Sequence, residues 1–129
     1  MATGILIVDD SGAMRSFVRA TLEANEEVDV HEAASGFEAL RLLPGSSYRL
    51  IIIDVNMSDI NGLELMSLIR KNERYRDTPL IVISTESSDR DRSRALSLGA
   101  SENLAKPFSP DALLGAVRRL TKGGKREEQ

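Results

Sequence analysis

Four polar groups each directly follow an apolar run: Asp9-Asp10 after Gly4–Val8, Asp54 after Leu50–Ile53, Ser84-Thr85 after Leu80–Ile83, and Lys106 after the weaker run Glu102–Ala105. Carboxylates that gather at one place cannot stand unattended. Two like charges about 4 Å apart repel by roughly 1 kcal/mol in water and about 4 kcal/mol at an effective dielectric near 20, so a cation or a shared proton must accompany them. All the available ligands are hard oxygens, a donor set that favours Mg2+, an ion usually held by carboxylates, waters and a phosphate. Beside such an ion a carboxylate can attack phosphorus to give an aspartyl phosphate. A hydroxyl and an ammonium across the site, Ser84 and Lys106, have the roles of binding the phosphoryl oxygens available to them.

Composition removes most other chemistry. The 129 residues include no Cys and a single histidine, His31, which excludes disulfides, thiolate metal sites, cysteine nucleophiles, His-His metal motifs and Ser-His-Asp triads. His31 is expected to be structural or at the surface. With 17 Lys+Arg against 20 Asp+Glu the net charge of -3 has the wrong sign for gripping phosphate backbones, so no direct nucleic-acid binding is expected. The apolar runs fall far short of the ~20 residues of a membrane span, and no basic-then-apolar leader opens the chain. The expectation is a cytoplasmic protein with no membrane partner.

For these groups to meet, the apolar runs must be strands ending on one rim. Short Ile/Val-rich runs alternate with stretches of helical spacing, such as Met14, Phe17, Val18, Thr21 and Leu22, the sign of repeated βα units. Ser35 with Glu38, Asn61 with Glu64, and Ser109-Pro110 are helix starts, and Pro44-Gly45 and Gly99 are stops. This reading gives (βα)5: an α/β, flavodoxin-like, doubly wound five-stranded parallel sheet in the order 2-1-3-4-5. Strands one and three are then neighbours at the switch point, which brings Asp9, Asp10 and Asp54 together. One domain over residues 1–122 is expected, with 123–129 as a flexible C-terminal tail.

Taken in order and spacing, Val8-Asp-Asp-Ser11 with Met14-Arg15, Asp54-Val-Asn-Met57, Asn61-Gly-Leu-Glu64, Pro79-Leu-Ile-Val-Ile-Ser84, Gly99-Ala100 and Lys106-Pro-Phe108 resemble the response regulator receiver domain, and within it the CheY-like chemotaxis regulators. The resemblance covers residues 4 to about 121. It implies a phosphorylation-controlled switch of a two-component system rather than a metabolic enzyme. Asp54 would accept a phosphoryl group from a histidine kinase, and Asp9, Asp10, Asp54 and the backbone carbonyl of Asn56 would organise Mg2+. Ser84 would be the switch hydroxyl and Lys106 its partner at the phosphoryl group, before a Lys106-Pro107 bond that is cis in the family. Asn56 and Glu86 stand where the family tunes phosphate lifetime.

Three positions depart from the pattern. Ser58 replaces a usual proline in the loop after Asp54, Asn103 replaces the Tyr or Phe that reports phosphorylation, and Val55 replaces a tryptophan of the chemotaxis type. Arg92, Arg118 and Arg119 adjoin the family's docking surface, so a downstream protein bound noncovalently is expected, with the chain itself a monomer. Asn103 motivates an alternative: a scaffold of the same fold that binds partners whatever its phosphorylation state. A phosphohydrolase would need an Asp-x-Asp-x-Thr motif after the first strand, and a flavin binder a Ser/Thr/Gly-rich loop there. The chain has neither.

Overall fold

Strands that are apolar at every position need cover on both faces, and helices alternating with them supply it. In the computed structural model, which describes residues 3–85 and 89–127, five parallel strands alternate with five helices. They run β1 (Thr3–Val8), α1 (Gly12–Asn25), β2 (Val28–Ala33), α2 (Gly36–Leu42), β3 (Leu50–Asp54), α3 (Gly62–Arg70), β4 (Leu80–Ser84), α4 (Asp89–Ser97), β5 (Glu102–Ala105) and α5 (Pro110–Glu127). The sheet order is β2-β1-β3-β4-β5, the doubly wound arrangement expected from the alternation.

Successive strand residues point to opposite faces, and two cores result. Ile5 and Ile7 of β1, Leu50 and Ile52 of β3, and Ile81 and Ile83 of β4 pack with Val18, Leu22, Leu113 and Val117 of α1 and α5. Their alternates Leu6, Val8, Ile51, Ile53, Leu80 and Val82 face Ala39, Leu65, Ile69 and Ala95 on the other side. The central strands β3 and β4 are buried at every position, whereas β5 at the edge is only half-buried.

The helix starts follow the expected chemistry. Ser11, Ser35, Asn61 and Ser109 accept hydrogen bonds from the first-turn amides of Met14, Glu38, Leu63 and Ala112, satisfying donors that no helical carbonyl can reach. Gly99 has φ +117° in the turn before β5, a left-handed conformation that favours glycine, and Arg70 holds its carbonyl at 2.6 Å.

Two features go beyond the sequence reading. A 3-10 turn at Glu73–Tyr75 buries Tyr75 completely, with its hydroxyl 2.6 Å from the carbonyls of both Leu43 and Ser46. The last helix runs on to Glu127, past the expected start of the tail at 123. No proline follows Leu120 to stop it.

Candidate functional site

Parallel register carries the chemistry to one rim. Val8 lies opposite Ile53, Asp54 opposite Ile83 and Ser84 opposite Ala105. Pairing continues one residue beyond three strands: the amides of Asp9, Val55 and Lys106 donate to the carbonyls of Ala33, Ile83 and Ser84 at 3.1, 2.9 and 2.8 Å. Asp9, Asp54, Ser84 and Lys106 are therefore fixed by sheet hydrogen bonds rather than by loops.

The three carboxylates meet as expected. Asp9, Asp10 and Asp54 each offer an oxygen, and these oxygens lie within 4.8 Å of one another. Asp9 and Asp54 are 1% and 3% exposed, while Asp10 stands open to solvent. The cap of α1 is Ser11. Asp9 Oδ1 accepts the Ser11 amide at 2.8 Å, and its Oδ2 is buried with no hydrogen-bond partner among the described residues. Burial pushes the Asp9 carboxyl up to about 6, and the neighbouring Asp54 charge adds to the rise. An orphaned buried carboxylate oxygen within an all-oxygen cluster fits a hard divalent cation, which would supply the missing partner.

Positive charge comes from two directions. Lys106 Nζ lies 3.5 Å from Asp54 Oδ1, and the Lys106-Pro107 peptide is cis. Arg15 donates to the Asp9 carbonyl at 2.6 Å and to Glu32 at 2.8 Å, tying the end of β1 to α1 and β2. Arg15 was visible in the sequence only as part of a motif; its grip on Asp9 is a structural finding.

Ser84, at the end of β4, is 5% exposed. Thr85 beside it is exposed and accepts a hydrogen bond from the Asn56 amide at 3.2 Å. Asn56 thus bridges the loops after β3 and β4, and its backbone amide donates to Asp54 Oδ1 at 3.2 Å. Asn103 sits opposite Val82 on β5, where it lines a cavity of about 230 Å³ together with Ser84, Asn56, Val55, Leu63 and Ala95. A small amide thus stands where the resemblance implies a ring.

The surface residues divide. Arg92 is exposed on α4, and Glu86 lies outside the described residues. Arg118 turns away from β5 to pair with Glu26 at the end of α1, 2.6 Å away; its neighbour Arg119 reaches Glu102, beside Asn103, at 2.7 Å. The arginine of α5 that borders β5 is therefore Arg119, because consecutive helical residues point about 100° apart. His31 contacts the Tyr48 hydroxyl at 2.8 Å and takes no part in the acidic site.

Asp59 was not singled out from the sequence. Its carboxylate accepts the amides of Gly36 and Phe37 at the start of α2, a pairing across more than 20 residues that no local pattern announces.

Comparison with known proteins agrees with this geometry. Residues 5–118 match the model of the response regulator receiver domain. A chemotaxis protein CheY homolog of Campylobacter jejuni is 38% identical over 110 residues, covering 84% of this chain and 85% of that protein. The structure of the Vibrio cholerae chemotaxis response regulator CheY4 superposes with a TM-score of 0.88 at 34% identity, covering 93% of this chain and 99% of that one. The signal receiver domain of a signal transduction histidine kinase from Syntrophus aciditrophicus gives 0.87 at 33% identity, covering 97% and 94%. With the carboxylates at the switch point, the lysine beside Asp54 and this likeness along nearly its whole length, the chain belongs to the response regulator receiver domain family.

Proposed function

We propose that this chain is a phosphorylation-controlled switch of a two-component system, with Asp54 as the phosphoryl acceptor. The observation that carries the reading is the convergence of Asp9, Asp10 and Asp54 oxygens within 4.8 Å beneath Lys106. The phosphodonor is a phosphohistidine of a histidine kinase. An Asp54 carboxylate oxygen attacks phosphorus, the phosphorus–nitrogen bond breaks, and its electron pair leaves with the imidazole. Water later attacks phosphorus and returns the free carboxylate. No other substrate is turned over.

Asp9, Asp10, Asp54 and the backbone carbonyl of Asn56 are the groups that would hold Mg2+. The ion, when bound, neutralises charge on the phosphoryl oxygens and on the carboxylates. Lys106 holds one phosphoryl oxygen by its ammonium, and the Ser84 hydroxyl donates to another. Drawing Ser84 inward moves the end of β4, and the face formed by α4, β5 and α5 changes its affinity for a protein partner. This reading makes the protein a cytoplasmic signalling component, in keeping with its chemotaxis relatives.

One observation supports a second reading. Asn103 offers no ring to rotate into the cavity beside Ser84, so an aromatic relay is absent, and partner binding independent of phosphorylation is the alternative. Intact-mass analysis after incubation with a small phosphodonor, with and without Mg2+, tests the acceptor. A Mg2+-dependent gain of one phosphoryl group that Asp54→Asn abolishes is expected. No gain from either a small donor or a kinase would overturn the switch and leave the constitutive scaffold.

A further inference from the structure

The loop from Val55 to Asn61 carries Asn56 next to the acidic site, yet it has Ser58 where a proline would stiffen it. A bond across its base and a tie from Asp59 to α2 hold it instead. At the α3 end, the Gly62 amide donates to the Val55 carbonyl at 2.9 Å. Further back, Asp59 reaches across to α2: Oδ1 accepts the Gly36 amide at 3.1 Å and Oδ2 the Phe37 amide at 3.0 Å. Both donors belong to the first turn of a helix, where no helical carbonyl is available, and a carboxylate acceptor makes each bond charge-assisted. Ile60, 7% exposed, packs on Gly36, where a Cβ would come within 3.0 Å of its own. The Phe37 amide most strongly, and then the amides of Ile60 and Gly36, hold the Asp59 carboxyl below the usual carboxylate range.

We propose that Asp59 is a positioning residue for the Mg2+ site: its two-oxygen grip on the start of α2 orders the loop that carries Asn56 before the ion arrives. The inference rests on the function proposed above. Without the grip, the stretch around Asp59 loses its tie to α2, and the entropy of ordering it at the moment of binding is subtracted from the affinity. A corollary is that the first turn of α2, with Phe37 61% exposed, senses the state of the site through Asp59. Nothing local in the sequence marks this link.

Titration with Mg2+ followed by amide NMR on the full chain tests it, comparing wild type, Asp59→Ala and Asp59→Asn. In wild type the Gly36 and Phe37 resonances should shift with the same midpoint as those of Asn56 and Met57. In Asp59→Ala the Gly36 and Phe37 response should disappear and the Mg2+ Kd should weaken roughly tenfold, the scale of lost outer-shell support. Asp59→Asn keeps an acceptor but no charge and should stay within roughly threefold of wild type, since it retains one of the two bonds. An unchanged Kd in Asp59→Ala would overturn the proposal. So would equal losses in the two variants, which would assign the effect to charge alone, and so would silent Gly36 and Phe37 amides in wild type, whatever the folding of the variants. Wild type that binds no Mg2+ at all would instead overturn the proposed function, and this inference with it.

Discussion

Lys106 Nζ stands 3.5 Å from Asp54 Oδ1, with the lysine 21% and the aspartate 3% exposed. The pair is unequal: a nearly buried carboxylate meets an ammonium whose other side reaches water. A structural ion pair of this kind would only tie the ends of β3 and β5 together across β4, whereas in the proposed function it supplies positive charge for the oxygens of a transferred phosphoryl group.

Replacing Lys106 separates these roles. Lys106→Met keeps the length of the side chain and removes the charge. Phosphorylation by a small donor should slow by roughly 10² or more, the usual scale for losing one preorganised electrostatic contact. Mg2+ binding should persist, because the acidic cluster is intact. Rates from intact-mass time courses, beside a Mg2+ titration, check this; equal rates for the variant and wild type would remove Lys106 from the mechanism.

Asp9 makes the metal-free protein sensitive to pH. Its folded carboxyl titrates near 6, against 3.8 for the ordinary group, so between those values the folded state keeps a proton that the unfolded chain releases. Stability therefore falls as pH rises through this window, and above it the full penalty is present, on the order of 3 kcal/mol for a shift of this size. Asp9→Asn retains an acceptor for the Ser11 amide and carries no charge to desolvate. In EDTA it should be more stable than wild type to urea at pH 7.5, and the advantage should vanish by about pH 4. Saturating Mg2+ should raise wild-type stability and leave the variant behind, since only a bound ligand adds stability. An advantage that is the same at both pH values would contradict this account of Asp9.

Much of this site was legible in sequence because it is built from strand ends. Leu50–Ile53 and Leu80–Ile83 are apolar throughout and punctuated by polar residues, so both the strands and what lies beyond them could be read from pattern alone. What escaped the reading depends on contacts between distant segments. Asp59 looks like one more loop residue until α2 is folded against it. Arg118 and Arg119 are indistinguishable by type, and only the helix rotation sends one to Glu26 and the other to Glu102. Tyr75 sits in a polar stretch whose 3-10 turn carries no hydrophobic period, yet its ring is wholly buried.

Gly62 shows how closely Asp54 is hemmed in. A Cβ there would lie 2.4 Å from the Asp54 carbonyl oxygen and 2.6 Å from Val55 Cα, both backbone atoms that cannot swing aside. Gly62→Ala must therefore push α3 away from the end of β3, at a cost of roughly 1 to 3 kcal/mol for an overpacked site. It should also displace Asp54 relative to Asp9. Gly45, with nothing within 4 Å of its added Cβ, is the matched control: Gly45→Ala should change stability by less than about 1 kcal/mol. Urea denaturation gives the two stabilities, and phosphoryl gain by mass reads the site. The expected pattern is a destabilised Gly62→Ala whose phosphorylation stays slow even under conditions where it is fully folded, beside a Gly45→Ala that matches wild type. If folded Gly62→Ala were phosphorylated at the wild-type rate, the close approach of α3 would matter for packing alone.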